Sequence, residues 1–157
     1  MLIIVSGAPG TGKSTLAHAL GRAIGCPVIS RDEIREGLVH AGTPDDHYMA
    51  TLRIFREMVQ RLVGEGVTVV AEAAFQDRNW RPLLGLGETR IIRCVTAAGL
   101  ARERVVIRAA HPGTPMSVDE WVPIDAPHPT LIVDTTDGYF PTMPEIVAFA
   151  AGHTPLG

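Results

Sequence analysis

Eight consecutive residues near the start of the chain have the types and spacing to hold phosphate. Gly7-Ala8-Pro9-Gly10-Thr11-Gly12-Lys13-Ser14 fits G-x-x-x-x-G-K-S/T, the Walker A pattern. The glycines let backbone N–H groups converge on phosphate oxygens without side-chain obstruction. A helix opening at Lys13 would aim its positive end at the same point. Lys13 is expected to reach the outer phosphates and Ser14 to ligate Mg²⁺, with Thr15 bordering the loop. Of the 14 basic residues 13 are arginine, and Lys13 is the only lysine. A position that keeps lysine in such a chain needs a compact ammonium on a flexible stem rather than a planar fork. No second lysine remains for the N/T-K-x-D loop of guanine-specific proteins, so ATP with Mg²⁺ is the expected nucleotide.

Strands and helices must carry this loop. Leu2 to Ser6 is apolar and β-branched, a buried first strand, and Leu16, Ala19, Leu20, Ala23 and Ile24 recur at helical spacing until Gly25. Pro27-Val28-Ile29 reads as a second strand. Ser30 with Glu33 reads as a capping box opening a helix that runs to about His40. Tyr48, Leu52, Phe55, Val59, Leu62 and Val63 form one stripe of the next helix, with Arg53, Arg56 and Gln60 facing away. Val67 to Ala71 is a third strand stopping at Glu72, Asp77 to Leu84 a short helix, Thr89 to Val95 a fourth strand, and Ala98 to Arg108 a helix. Leu131-Ile132-Val133 is the fifth strand, and Thr142 with Glu145 caps a last helix through Ala151. Wholly apolar strands alternating with helices predict an α/β fold, a five-stranded parallel sheet with helices on both faces. Ligands of such sheets sit beyond the C-terminal strand ends.

A second constellation lies at one of those ends. In Val28-Ile29-Ser30-Arg31-Asp32-Glu33-Ile34-Arg35, Asp32 and Arg35 are three apart and share a helix face near the expected phosphate site. The bland alternative is a helix-end acid with an i,i+3 partner. With the Walker loop upstream, this segment resembles the small AAA-type P-loop kinases related to the kinase domain of polynucleotide kinase, the zeta toxins and chloramphenicol phosphotransferase. The resemblance spans roughly residues 2 to 136. It implies that Asp32 orients and deprotonates an acceptor hydroxyl and that Arg35 holds an anionic part of the substrate. It further implies that Arg104 and Arg108, an R-x-x-x-R pair before a proline- and glycine-rich lid at roughly 104–118, close over ATP and meet charge on the transferring group. Arg102 is a third candidate there.

Glu72 stands where related proteins carry an acid, usually Asp, that holds Mg²⁺ through water; the alternative is a strand-end acid facing solvent. Arg78 and Arg81 are candidate substrate contacts or surface arginines. Asp134-Thr135-Thr136 passes the adenine in such kinases or forms an Asx turn. His47, His111 and His128 show no ligand spacing and read as loop or surface residues.

Composition bounds the rest. The chain has 157 residues, a net charge of −3 and 46% hydrophobic residues, as expected of one globular domain spanning 1–157. The acidic balance argues against a nucleic-acid coat. Cys26 and Cys94 form no C-x-x-C pair and read as buried free thiols in a reducing compartment. The apolar N-terminus lacks a basic n-region and no stretch is long enough for a membrane helix, so a cytoplasmic protein is expected. The expected activity is ATP-dependent transfer of the γ-phosphoryl group to a hydroxyl of a small-molecule or nucleotide-like acceptor. The alternatives are a nucleic-acid end kinase, or a nucleotide-binding switch or toxin-like regulator with little transfer. Oligomeric state is not legible.

Overall fold

The computed structural model describes residues 1–42, 44, 47–108 and 120–153, except the side chain of Arg108. Five strands run β1 (Leu2–Ser6), β2 (Val28–Ser30), β3 (Val69–Ala73), β4 (Thr89–Val95) and β5 (Thr130–Asp134). The helices are α1 (Lys13–Ile24), α2 (Arg31–His40), α3 (Tyr48–Gly64), α4 (Asp77–Trp80), α5 (Ala98–Arg108) and α6 (Met143–Ala150). The strands form one sheet in the order β2-β3-β1-β4-β5, and every pairing between them is parallel, as the alternation of elements predicts. β1 is central, so the phosphate loop springs from a strand held on both sides.

Side chains alternate between the two faces. Ile3, Val5, Val70, Ile92, Cys94 and Val133 pack under Leu16, Ala17 and Leu20 of α1 and Ile146 and Phe149 of α6. Leu2, Ile4, Val69, Ala71 and Ile91 face Leu52, Phe55 and Val59 of α3, with Phe75, Trp80, Leu83 and Ile124. The rings of Phe55, Phe75 and Trp80 meet edge to face, with centroids 5.1 to 5.8 Å apart, where quadrupoles attract.

Several expectations are corrected. β3 starts at Val69 rather than Val67 and continues through Glu72 to Ala73, because all five of its residues pair with β1. The segment after it is a single α turn followed by a 3-10 turn, Arg81–Leu83, containing Pro82. The capping box at Ser30 does not form: the Ser30 hydroxyl turns to Glu72, and Glu33 pairs with His18. The matching box at Thr142 does form, with the Thr142 amide donating to Glu145 Oε2 at 2.8 Å. Tyr48 leaves the apolar stripe and is 42% exposed, while Arg56 turns inward and donates through Nε and Nη2 to the Asn79 carbonyl. Both cysteines are free thiols, Cys94 buried but Cys26 only partly so. Burial pushes the Cys94 thiol up to about 12, which leaves it unreactive. Among the described residues no helix is long and apolar enough to cross a membrane.

Candidate functional site

β1 ends at Ser6, and the chain turns through Gly7–Gly12 into α1. Gly10 has φ +82°, and a Cβ there would lie 2.4 Å from the Ala101 carbonyl oxygen, so only glycine suits the loop tip. The Thr11 hydroxyl donates to the Ala8 carbonyl at 2.8 Å and fixes the turn internally. Lys13 is 6% exposed, and its Nζ donates to the same carbonyl at 3.1 Å. The ammonium thus folds back over the loop, where an anion would find it. The first-turn amides of α1 have no partners within the helix and face the same space.

Glu72 organises the side of the loop on which Ser14 lies. It is 1% exposed, which overturns the solvent-facing alternative. Its Oε2 accepts from Ser30 Oγ at 2.8 Å and from Ser14 Oγ at 3.2 Å. The geometry follows from strand order: β3 lies between β1 and β2, and Glu72 is in register with Val5 and with Ser30. Burial pushes the carboxyl of Glu72 upward, partly opposed by the nearby Lys13 ammonium and the Ser30 hydroxyl. A hydroxyl and a carboxylate bridged across the loop are hard oxygen donors. Mg²⁺ prefers such donors when it keeps waters and phosphate oxygens in its remaining positions, so the residues fit the ion. Among the described residues no cluster of three or more His, Cys, Asp or Glu offers an all-protein cage.

Asp32 and Arg35 lie in α2, immediately beyond Ser30, and both are half-buried. Asp32 accepts from Arg31 Nη1 at 3.3 Å. The Arg31 guanidinium lies over the Tyr48 ring, 4.7 Å from its centroid, and Tyr48 in turn accepts from Asn79. Arg31 is absent from the sequence-based site, as is the Ser30–Glu72 contact. Arg31 opens α2 one residue before Asp32, and its aromatic partner is the first residue of α3.

Arg104 reaches the phosphate loop from α5: Nη1 donates to the Gly10 carbonyl and Nη2 to the Thr135 carbonyl, each at 3.4 Å. Thr135 is itself buried and donates to the Thr11 carbonyl at 2.7 Å. Helix α5, the loop and the end of β5 are therefore tied together. The Arg108 side chain, His111 and most of the expected lid lie outside the described residues. Arg102 is exposed. Asp134 forms the Asx turn, accepting from the Thr136 amide at 2.8 Å; the Thr136 hydroxyl, chiefly, and this amide hold its carboxyl below the usual range. Arg78 is exposed, and Arg81 is held by Asp77 at 2.9 Å on the surface. His47 is exposed and His128 half-buried, each in a loop. A groove of about 670 Å³ lies away from the loop, on Met49, Leu52, Arg53 and Arg56 of α3 with Pro82.

Residues 2–122 match a family model described as an AAA domain. Uncharacterized proteins of Mycobacterium tuberculosis and Mycobacterium bovis are 30% identical over 127 residues, covering 69% of this chain. The chain spans about a quarter of the length of these curated relatives, the matched part being 26% of each. Among solved structures, a "putative kinase" from Chloroflexus aurantiacus superposes with a TM-score of 0.78 at 26% identity, covering 98% of this chain and 97% of that one. A gluconokinase from Sinorhizobium meliloti shares the fold, with a TM-score of 0.63 at 22% identity over 96% of this chain and 91% of the other.

Proposed function

Because the chain belongs to the AAA domain family, we propose that it is an ATP-dependent phosphotransferase acting on a hydroxyl of a small-molecule or nucleotide-like acceptor. The observation that supports this best is the convergence on Glu72: Ser14 of the phosphate loop and Ser30 at the end of β2 meet on one carboxylate oxygen. Asp32 lies two residues beyond Ser30, in the first turn of α2, which supports a role for it beside the phosphates. The resemblance to kinases of known structure points the same way.

The roles follow from position. Lys13 and the loop amides hold the outer phosphates of ATP. Ser14, with Glu72 behind it, would hold Mg²⁺, which would supply positive charge to neutralise the outer phosphates. Asp32 orients the acceptor hydroxyl and takes its proton. The acceptor oxygen bonds to the γ-phosphorus, the bond from that phosphorus to the β–γ bridging oxygen breaks, and ADP leaves with the electron pair. In a loose transition state the base mainly positions the nucleophile. Arg35 binds the acceptor, and Arg104 with Arg108 covers the nucleotide.

The test is transfer of label from γ-labelled ATP to a metabolite extract by the whole chain. A labelled product that disappears with Asp32→Asn supports the reading. Steady hydrolysis with no labelled acceptor would replace the kinase by a nucleotide-dependent switch.

A further inference from the structure

Arg93 lies on β4, one residue before Cys94, whose carbonyl would meet a Cβ on Gly7 at 2.7 Å. It therefore stands beside the first residue of the phosphate loop. It is in register with Ser6, the last residue of β1. Strand alternation turns both side chains to the sheet face of Ile4 and Ile91, the face on which Ile34 of α2 and Ile124 also pack. One nitrogen of the guanidinium, Nη2, donates to the Ile124 carbonyl at 2.9 Å. Its Nε is enclosed and has no hydrogen-bond partner, and the same is true of Ser6 Oγ. Among the described residues no carboxylate pairs with Arg93; Arg90, three residues earlier, has Glu88.

A partly buried cation without a counter-charge is costly, and so are two neighbouring hydrogen-bonding groups shut off from both water and protein. Such a pair beside a phosphate loop is accounted for if another state of the molecule satisfies it. We infer that Arg93 and Ser6 form the floor of the acceptor site and receive an oxyanion, a carboxylate or phosphate, carried by the hydroxyl compound that is phosphorylated. This rests on the kinase reading above. The acceptor enters between α2 and the 120–126 segment, its hydroxyl toward Asp32 and its oxyanion toward Arg93. A modest displacement of Ile124 opens the enclosed donors. The planar fork of arginine matches an oxyanion in two-point contact.

The test fractionates the metabolite extract on an anion-exchange resin and follows label from γ-labelled ATP into the bound and flow-through fractions. Carboxylates and phosphates in the bound fraction are then told apart by treatment with phosphatase before the assay. Transfer is expected to the bound fraction only. Arg93→Gln should raise the acceptor KM by roughly 30-fold or more, in line with loss of a charged hydrogen-bonded contact, while the KM for ATP stays within about twofold. Arg93 also anchors Ile124, so Ser6→Ala provides a second variant. It removes a hydroxyl that has no partner in the free protein, so a merely structural Ser6 would leave kinetics unchanged. As a ligand donor its loss should raise the acceptor KM by about five- to tenfold. Acceptor activity in the neutral flow-through, or an unchanged acceptor KM in Ser6→Ala, overturns the inference. Transfer to neither fraction overturns the kinase reading, and the inference with it.

Discussion

At the scale of single residues, Lys13 and Asp32 carry the most distinct expectations. Lys13→Ala should weaken binding of ATP in the presence of Mg²⁺ by at least about tenfold and leave the fold intact, because the ammonium caps an anion site rather than a core. Unchanged affinity by calorimetry would remove the phosphate-loop assignment. Asp32→Asn keeps size and most hydrogen-bonding geometry but loses the proton acceptor. ATP affinity should stay within a few-fold while transfer falls by roughly 10²-fold or more. A loss of Mg²⁺-dependent ATP affinity together with rate would instead make Asp32 a metal ligand. The phosphate loop was legible in the sequence because its chemistry is contiguous. Its eight residues sit in one turn, and no distant contact is needed to recognise them. Ser30 was legible only as a hydroxyl before a helix. Two partners competed for it, the α2 amides and a carboxylate on the next strand, 42 residues further along the chain, and the buried carboxylate won. An enclosed charge gains more from a donor than an exposed helix end does.

At the scale of elements, helix α5 is where nucleotide grip and phosphoryl transfer should separate. Arg104 braces the Gly10 and Thr135 carbonyls, so Arg104→Ala should act mainly on the KM for ATP. Arg108, one turn on, is expected to meet charge that grows during transfer. Arg108→Ala should then lower kcat by up to about 10³-fold with little change in ATP affinity. Steady-state kinetics on the two variants decide the division; an Arg108→Ala enzyme with raised KM and normal kcat would make that arginine a ground-state contact. Periodicity found α1 and α3 closely, since each carries a strong apolar stripe, whereas α2 lies where the Ser30–Glu33 pair predicts it although that capping box does not form. Periodicity misjudged β3, whose Glu72 reads as a strand terminator. A charged residue inside a strand is legible only when its partners are known, and here they come from α1 and β2.

At the scale of the molecule, acid stability should depend on the seam that joins α4 to residues 120–126. Asp77 accepts from the Asp125 amide at 3.0 Å and from Arg81 at 2.9 Å. The Asp125 amide, chiefly, and the Arg81 guanidinium hold its carboxyl below the ordinary value. A depressed carboxyl binds fewer protons folded than unfolded. Its contribution is therefore present above the ordinary aspartate range and is lost as pH falls through the lowered folded value. Thermal melts from pH 5 to about 2.5 should show stability falling along this limb. Asp77→Asn should flatten that fall without changing the melt near neutrality by more than the loss of one hydrogen bond. An identical acid limb in the variant would place the dependence elsewhere, at Asp134 or Glu145, which are also lowered. Strand order was the part of the architecture that composition and spacing could not supply. Parallelism follows from the alternation of elements, but the choice of β3 rather than β2 beside β1 rests on which hydrophobic faces meet.

The solitary lysine makes the chain its own occupancy gauge. Within these 157 residues an amine-selective acylating reagent has one side-chain target, Lys13. The Lys13 amine is nearly enclosed and folded onto Ala8, so it should acylate slowly in the free protein. It should be shielded further once nucleotide is bound. Peptide mass spectra taken over a time course would then show a slow adduct at Lys13, suppressed by ATP in proportion to saturation. Equal rates with and without ATP would mean that the nucleotide leaves this amine untouched.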